Sequence, residues 1–126
     1  MPFKFKAIPK KNPRNPAAPV KYYASPSYQG EVNIRQLAAQ IADISTVSSV
    51  DVLAVLEAFL QQIPKELIQG RIVKLRDFGT FRILLSSEGA VSESALAGTA
   101  IKKLKLNFRP SKEFSDITKT ISYEKA

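Results

Sequence analysis

Residues 70–83, GRIVKLRDFGTFRI, decide how this chain folds. Val73 and Leu75 alternate with charged residues, which is the period-two pattern of a half-buried strand. Asp77-Phe78-Gly79 interrupts that pattern, and we expect its glycine to take a left-handed or bulged backbone before a second strand begins. Phe81 and the phenylalanine of the turn must both pack against a core. The stretch therefore predicts a hairpin corner in an α+β fold.

Two helical segments precede this hairpin. Apolar residues recur at helical spacing over residues 33–43, and Asn33 is a suitable N-cap. A second helix is predicted to begin after Ser48, because Asp51 follows it at the spacing of a capping arrangement. This helix carries a broad apolar face formed by Leu53, Leu56, Phe59, Leu60 and Ile63.

The end of the second helix is marked by a proline and a glycine. Pro64 removes the hydrogen bond to the carbonyl of Leu60, so a kink is expected at residues 62–64. A final turn should run through Ile68, with Gly70 as the C′ residue.

A returning strand is predicted over residues 101–108, after a run of small residues. The sequence Ile101-Lys102-Lys103-Leu104 breaks strict alternation, which favours a bulge that places both lysines on one side. Ser111 should cap a last helix whose apolar side holds Phe114, Ile117 and Ile121.

In this order, the elements resemble the HU and integration-host-factor family of bacterial nucleoid proteins. Residues 70–83 are similar to that family's Gly-Phe-Gly-Thr-Phe hairpin, with Asp77 in place of the first glycine. Phe108-Arg109-Pro110-Ser111-Lys112, continuing to Asp116, is similar to its Phe-Lys-Pro-Gly-Lys segment, with Ser111 in place of glycine. The likeness covers about residues 31–121, and the preceding tail resembles the extended N-terminus of HU-like proteins of Bacteroidetes.

This resemblance implies an HU-like α+β fold. It would comprise two N-terminal helices, a three-stranded antiparallel sheet with a β-ribbon arm and a short C-terminal helix, in an intertwined homodimer. The broad apolar face of the second helix also requires a facing surface, because small domains bury too little area alone. The alternative is a monomer whose N-terminal strands cover the helices.

The N-terminal segment has a distinct composition. Residues 9–26 contain five prolines, which block helix and favour an extended strap or linker. Aromatic residues at both ends of this tail suggest short strands that dock on the core. We therefore divide the chain into a basic, proline-rich extension at residues 1–30 and an HU-like domain at residues 31–126.

Charge is distributed unevenly along the chain. The formal net charge is +8, from 19 basic and 11 acidic side chains. Residues 1–30 carry +6, residues 31–70 carry −3 and residues 71–126 carry +5. A basic tail and a basic C-terminal half suggest a polyanionic partner, although lysine-rich surfaces also aid solubility.

The composition argues against an enzyme. The chain has no cysteine or histidine, which excludes disulfides, the usual zinc and haem ligand sets, and the commonest general base. We expect no cofactor, no metal and no small-molecule substrate. No apolar run approaches the ~20 residues that span a bilayer, and Lys4 and Lys6 interrupt any signal-like apolar region. We expect a cytoplasmic, nucleoid-associated protein without a membrane partner.

Candidate DNA contacts gather at the base of the predicted arm. They are Arg82, Lys102, Lys103, Lys105, Arg109 and Lys112, of which the last two match basic residues of the family's segment. Secondary contacts are expected from tail residues Lys4, Lys6, Lys10, Lys11 and Arg14. Lys74 and Arg76 are interpreted as ordinary solvated strand positions. The lysines of the returning strand have a second interpretation, as charges that discourage aggregation through a sheet edge.

The outer arm departs from the family pattern. Residues 84–101 contain no lysine, arginine or proline, and they include Glu88 and Glu93. HU-like proteins use an apolar wedge and cations at this point to kink DNA. Two hypotheses follow: a histone-like protein that contacts duplex DNA phosphates without reading sequence, or an HU-fold module for protein assembly. Attachment of the tail to anionic lipid is a third possibility, but it lacks helical amphipathicity.

Overall fold

The computed structural model describes residues 2–126, which form two compact units. One unit holds the residues up to Val32 together with Ile117–Ala126, and the other holds Asn33–Asp116. In chain order the strands and α-helices are β1 (Phe3–Lys10), β2 (Lys21–Pro26), α1 (Ile34–Asp43), α2 (Ser49–Ile68), β3 (Val73–Leu75), β4 (Gly79–Ser87), β5 (Ile101–Pro110), α3 (Lys112–Ser115) and β6 (Tyr123–Lys125).

Side-chain caps fix where the two long helices begin. The Asn33 side chain accepts a hydrogen bond from the Gln36 N–H, and the Gln36 side chain accepts one from the Asn33 N–H, each at 2.9 Å. At the start of α2, the Ser48 hydroxyl accepts from the Asp51 N–H at 3.2 Å. These caps satisfy N–H groups that have no partner within the helix. Both predicted N-caps are confirmed.

The end of α2 also follows the prediction. Pro64 lies inside the helix, which continues to Ile68. Gly70 has a φ of +82°, and its N–H donates to the Leu67 carbonyl at 3.0 Å. It is therefore the left-handed C′ residue that a glycine provides at low cost. The kink at residues 62–64 stays a prediction.

The hairpin after α2 forms as expected, but its turn works differently. Strands β3, β4 and β5 make an antiparallel sheet in which Leu75 pairs with Gly79. The left-handed residue is Arg76, with a φ of 42°, so the expectation for Gly79 is wrong. Gly79 is instead required for packing: a Cβ at this position would lie 2.6 Å from the ring of Phe108.

Four phenylalanines pack together at this corner. Phe78 and Phe114 stack with ring centroids 4.4 Å apart, and Phe81 lies 4.6 Å from Phe108. Phe78 and Phe108 join the two pairs at 5.6 Å. This phenylalanine cluster holds the turn, the base of the β4–β5 ribbon and α3 together.

The C-terminal helix is shorter than predicted. Ser111 caps it as expected, accepting from the Phe114 N–H at 3.1 Å, but α3 ends at Ser115. A 3₁₀ turn follows over Asp116–Thr120, so Ile121 lies beyond both. The chain then continues into the unpredicted strand β6.

The N-terminal unit is a small sheet with the strand order β2-β1-β6. Strands β1 and β2 form an antiparallel hairpin, and β6 adds to β1 in parallel. The short strands predicted for this tail are present, and they form a hairpin with a ten-residue loop, residues 11–20, where an extended strap or linker was expected. The division at residue 30 stays a prediction; the compact unit extends to Val32 and includes the C-terminal strand.

The unit built on α1 and α2 leaves much apolar surface open. Among the residues described, the buried hydrophobic side chains are Ala38, Val52 and Leu67. On the broad face of α2, Phe59 is 44% exposed and Leu60 is 54% exposed. Leu60 also lines an apolar groove of about 750 Å³ between the C-terminal half of α2 and the β4–β5 ribbon.

Candidate nucleic-acid interface

The β4–β5 ribbon separates its side chains into two chemically different faces. The strands pair from Gly79 opposite Pro110 to Ser87 opposite Ile101, and paired residues lie on the same face. One face is apolar and consists of Phe81, Ile83, Leu85, Leu104, Leu106 and Phe108. All of these residues except Phe108 line the groove beside α2.

The opposite face is basic. In successive rows, Arg82 pairs with Asn107, Lys105 with Leu84 and Lys103 with Ser86. Arg109 pairs with Thr80 at the base of the ribbon. Because the side chains of a strand alternate, these four cations project from one side. The register thus brings Arg82, Lys103, Lys105 and Arg109 together.

A fifth cation joins this surface from β3. Lys74 pairs with Thr80, which itself pairs with Arg109, so the three residues form one row across the sheet. The sequence pattern by itself indicates only an ordinary solvated strand position for Lys74. The signal that could have placed it is the tight turn after Leu75, because it fixes the register and puts Lys74 opposite Thr80. We call Lys74, Arg82, Lys103, Lys105 and Arg109 the cationic face.

Lys102 occupies the predicted bulge. The register shifts between Ser86, which pairs with Lys103, and Ser87, which pairs with Ile101. Lys102 is therefore the extra residue, without a partner on β4. That it projects to the same side as Lys103 stays a prediction.

Within residues 2–126, no carboxylate neutralises the positive charge of the cationic face. Ion pairs join Lys4 to Glu124 and Arg71 to Glu66, and neither involves the cationic face. Arg82 is half-buried and the other four members are exposed. No acidic residue shares the face, because the remaining positions are Thr80, Leu84, Ser86 and Asn107. Such a surface attracts an extended polyanion.

The segment that follows Arg109 is tied to the hairpin turn. The Ser111 hydroxyl donates to the Asp77 carbonyl, and the Ser111 N–H donates to the Phe78 carbonyl at 3.1 Å. Asp77 and Ser111 are the two positions at which the chain departs from the glycines of the HU pattern, and here they meet. Lys112 is exposed at the start of α3.

The arm tip, residues 88–100, differs from the ribbon base. It is closed by the Glu88 N–H, which donates to the Ala100 carbonyl at 2.9 Å. Val91 is fully exposed and Leu96 is 51% exposed. Glu88 and Glu93 give the tip a negative charge.

The predicted tail contacts lie in the N-terminal unit. Lys4, Lys6 and Lys10 alternate along β1 and therefore share one face of its sheet. Lys4 is paired with Glu124 at 3.0 Å. Lys11 and Arg14 are in the loop that follows β1, where the Arg14 N–H donates to the Asn12 side chain. The structure does not gather these five residues into one cluster.

Two kinds of feature are absent from the described part of the chain. Residues 2–126 contain no group of three or more acidic, cysteine or histidine side chains that could hold a metal ion. In the same residues, no helix combines the length and the apolar character needed to cross a membrane.

Comparison with known families agrees with the fold and the hairpin motif. A family model described as an HU domain fused to a winged helix-turn-helix, Ig or glycine-rich motif matches residues 1–125. The chain belongs to this HU family. No curated protein matches it.

Two solved structures resemble this HU chain. An HU protein from Anabaena, in a cocrystal with DNA, is 22% identical, with a TM-score of 0.54 over 69% of this chain and 97% of that one. A putative DNA-binding protein from Bacteroides vulgatus is 8% identical, with a TM-score of 0.63 over 98% of this chain. The match spans 47% of the Bacteroides protein, about half its length. At these identities, the likenesses establish the fold.

Proposed function

We propose that this protein binds duplex DNA without sequence preference, as a histone-like protein of the bacterial nucleoid in the cytoplasm. The observation that carries the proposal is the cationic face, where five basic side chains share one side of the sheet with no acid among them. Membership of the HU family and the likeness to an HU protein crystallised with DNA support a nucleic-acid partner.

The chemistry of this face suits phosphates better than bases. Lysine and arginine neutralise phosphate oxygens and release condensed counterions, which supplies affinity on any sequence. Reading sequence requires hydrogen bonds to base edges from precisely held polar side chains. On this face, the polar neutral residues are Thr80, Ser86 and Asn107, and each of them pairs with a cation. Lys102, near the start of β5, and Lys112, at the start of α3, would extend the phosphate contacts. Lys6, Lys10, Lys11 and Arg14 of the N-terminal unit would add a secondary contact.

The proposal includes a homodimer. The exposed face of α2 and the groove beside it leave Leu60, Leu85 and Leu104 in contact with water, each more than half exposed. A second copy that covers these residues would contribute about 25 cal/mol for each Å² of apolar surface removed from water. Dimerisation would also provide two cationic faces for one duplex.

A second candidate function is protein assembly through the same fold. The arm tip favours it, because Glu88 and Glu93 would be repelled by phosphates and the tip has no basic residue. In that case the lysines of β5 would protect a sheet edge against aggregation.

The two candidates are separated by removing charge from the cationic face. Lys103→Gln combined with Lys105→Gln should weaken duplex binding equally on unrelated sequences. The slope of log K against log salt should flatten by about 1.8 per chain if each lysine holds one phosphate. Arg35→Gln combined with Lys65→Gln, on α1 and α2, is the matched control for loss of two surface charges. A slope that is the same in the double variant and the control would assign the lysines to edge protection. Failure of the unmodified protein to bind at low salt would favour the assembly module.

A further inference from the structure

A second basic site lies in the N-terminal unit, where the β1–β2 hairpin ends. Lys10 and Lys21 are direct partners across the two strands. Like charges directly opposite each other on paired strands repel, and this repulsion destabilises the hairpin. Neither lysine takes part in an ion pair within residues 2–126. An anion held between the two ammonium groups would remove this repulsion.

The lysines border a concave surface. A bowl of about 450 Å³ is lined by Lys10, Lys11, Asn12, Lys21 and Tyr23, and Pro13 and Pro19 contribute to its wall. The bowl contains three ammonium groups and no carboxylate. Its lining therefore combines an anion-binding part with an apolar part.

The loop that forms the bowl has turns of its own. The Asn15 N–H donates to the Asn12 carbonyl at 3.2 Å, and the Ala18 N–H donates to the Asn15 carbonyl at 3.0 Å. The Asn12 side chain accepts from the Arg14 N–H at 3.0 Å. These bonds shape the segment that carries Lys11 and the prolines.

Tyr23 supplies an aromatic surface within the same bowl. Tyr23 is half exposed, and the Lys10 ammonium lies 5.6 Å from the centre of the Tyr23 ring. Proteins that hold single-stranded nucleic acid combine a basic groove with aromatic rings on which bases stack. In a duplex the bases are stacked on each other, so such a ring is useful only for an unpaired nucleotide.

We propose that this bowl binds an unpaired nucleotide of a DNA strand, with its phosphate between Lys10 and Lys21 and its base against the Tyr23 ring. The site goes beyond the proposed function, because the cationic face contacts only the phosphates of duplex DNA.

The test compares a fluorescently labelled 12-nucleotide thymine strand with a closed duplex, a covalently closed double-stranded minicircle that has neither strand ends nor loops. Tyr23→Ala should lower affinity for the single strand about fivefold or more, the loss of one base–aromatic stack. Tyr23→Phe should retain it. Lys21→Gln should flatten the salt slope on the single strand by about 0.7, the value for one phosphate. None of these variants should change binding to the closed duplex.

Lys125→Gln is the matched charge control, because Lys125 pairs with Phe5 and so lies on the opposite face of this sheet from Lys10. Equal effects of Lys21→Gln and Lys125→Gln on the single strand would overturn the proposal, as would equal affinities of the Tyr23→Ala and Tyr23→Phe proteins. Amide chemical shifts of the unmodified protein give a check that needs no variant. Addition of the thymine strand should perturb residues 10–23, and unperturbed shifts there would contradict the site. The Lys103→Gln, Lys105→Gln double variant tests the cationic face separately, because its binding to the closed duplex should be weakened.

Discussion

Gly79→Ala is the substitution whose effect the structure predicts most directly. A Cβ at this position would lie 2.6 Å from two ring carbons of Phe108 and 2.8 Å from the backbone oxygen of Arg109. The ring can move only by disturbing the phenylalanine cluster, and the oxygen belongs to β5. Overpacking of this kind costs about 1–3 kcal/mol, while the lower chain entropy of alanine returns about 0.4–1 kcal/mol. We expect a net loss of about 1–2 kcal/mol of unfolding free energy.

Thermal melting followed by circular dichroism at one fixed protein concentration measures this loss. For a chain of this size, 1–2 kcal/mol corresponds to a fall of about 4–8 °C in Tm. Gly89→Ala is the control, because no atom lies within 4 Å of the added carbon and Gly89 does not have a left-handed backbone. In a Phe108→Leu background the cost of Gly79→Ala should shrink, since the ring contact is removed. Equal melting temperatures for the two alanine variants would refute the close packing of Gly79 against β5.

Three further outcomes are expected. Phe81→Ala should lower stability by about 3 kcal/mol, because the ring lies against Phe108 and lines the groove beside α2, and an unchanged Tm would remove Phe81 from the core. Light scattering at high micromolar concentration should give about twice the 13.9 kDa chain mass, and a monomer mass would contradict the dimer. If DNA is bound, it should be bent less than by relatives with a proline wedge, because residues 84–101 contain no proline. The apolar side chains of the tip that could insert between base pairs are Leu96 and the smaller Val91. Energy transfer between dyes at the ends of a ~30-base-pair duplex measures the bend, and a large rise that Leu96→Ala abolishes would show that the tip intercalates.

The parts of the fold that depend on local signals were predictable from sequence. Asn33 and Ser48 cap their helices through side-chain hydrogen bonds to residues three positions on, which is a short-range pattern. Gly70 takes the left-handed conformation that ends α2. The bulge at Lys102 was visible as a break in alternation. Each of these features is fixed within a few residues.

Features that depend on contacts between distant residues were not predictable. Gly79 is required because Phe108 approaches it from another strand, and the sequence between them does not record this contact. Strand β6 is three residues long, too short to show a strand pattern of its own, and it pairs with residues 3–5 from the other end of the chain.

The candidate site divides in the same way. The cations of β5 alternate visibly, and four of the six predicted arm-base contacts, Arg82, Lys103, Lys105 and Arg109, lie on one face. Lys74 was missed because its place beside Arg109 depends on pairing across three strands. The pairing of Lys10 with Lys21 likewise depends on the register of the β1–β2 hairpin. The proline-rich sequence of this segment does not indicate that register.

The salt dependence of duplex binding by the unmodified protein tests the central claim most directly. Affinities for two unrelated closed duplexes are measured by fluorescence anisotropy at several salt concentrations. We predict that the two duplexes bind alike and that log K falls against log salt with a slope of about −4.5 for each cationic face engaged, since five residues each neutralise one phosphate. A slope near zero would contradict phosphate binding by this face, and a preference of more than about tenfold for one sequence would contradict binding without sequence preference.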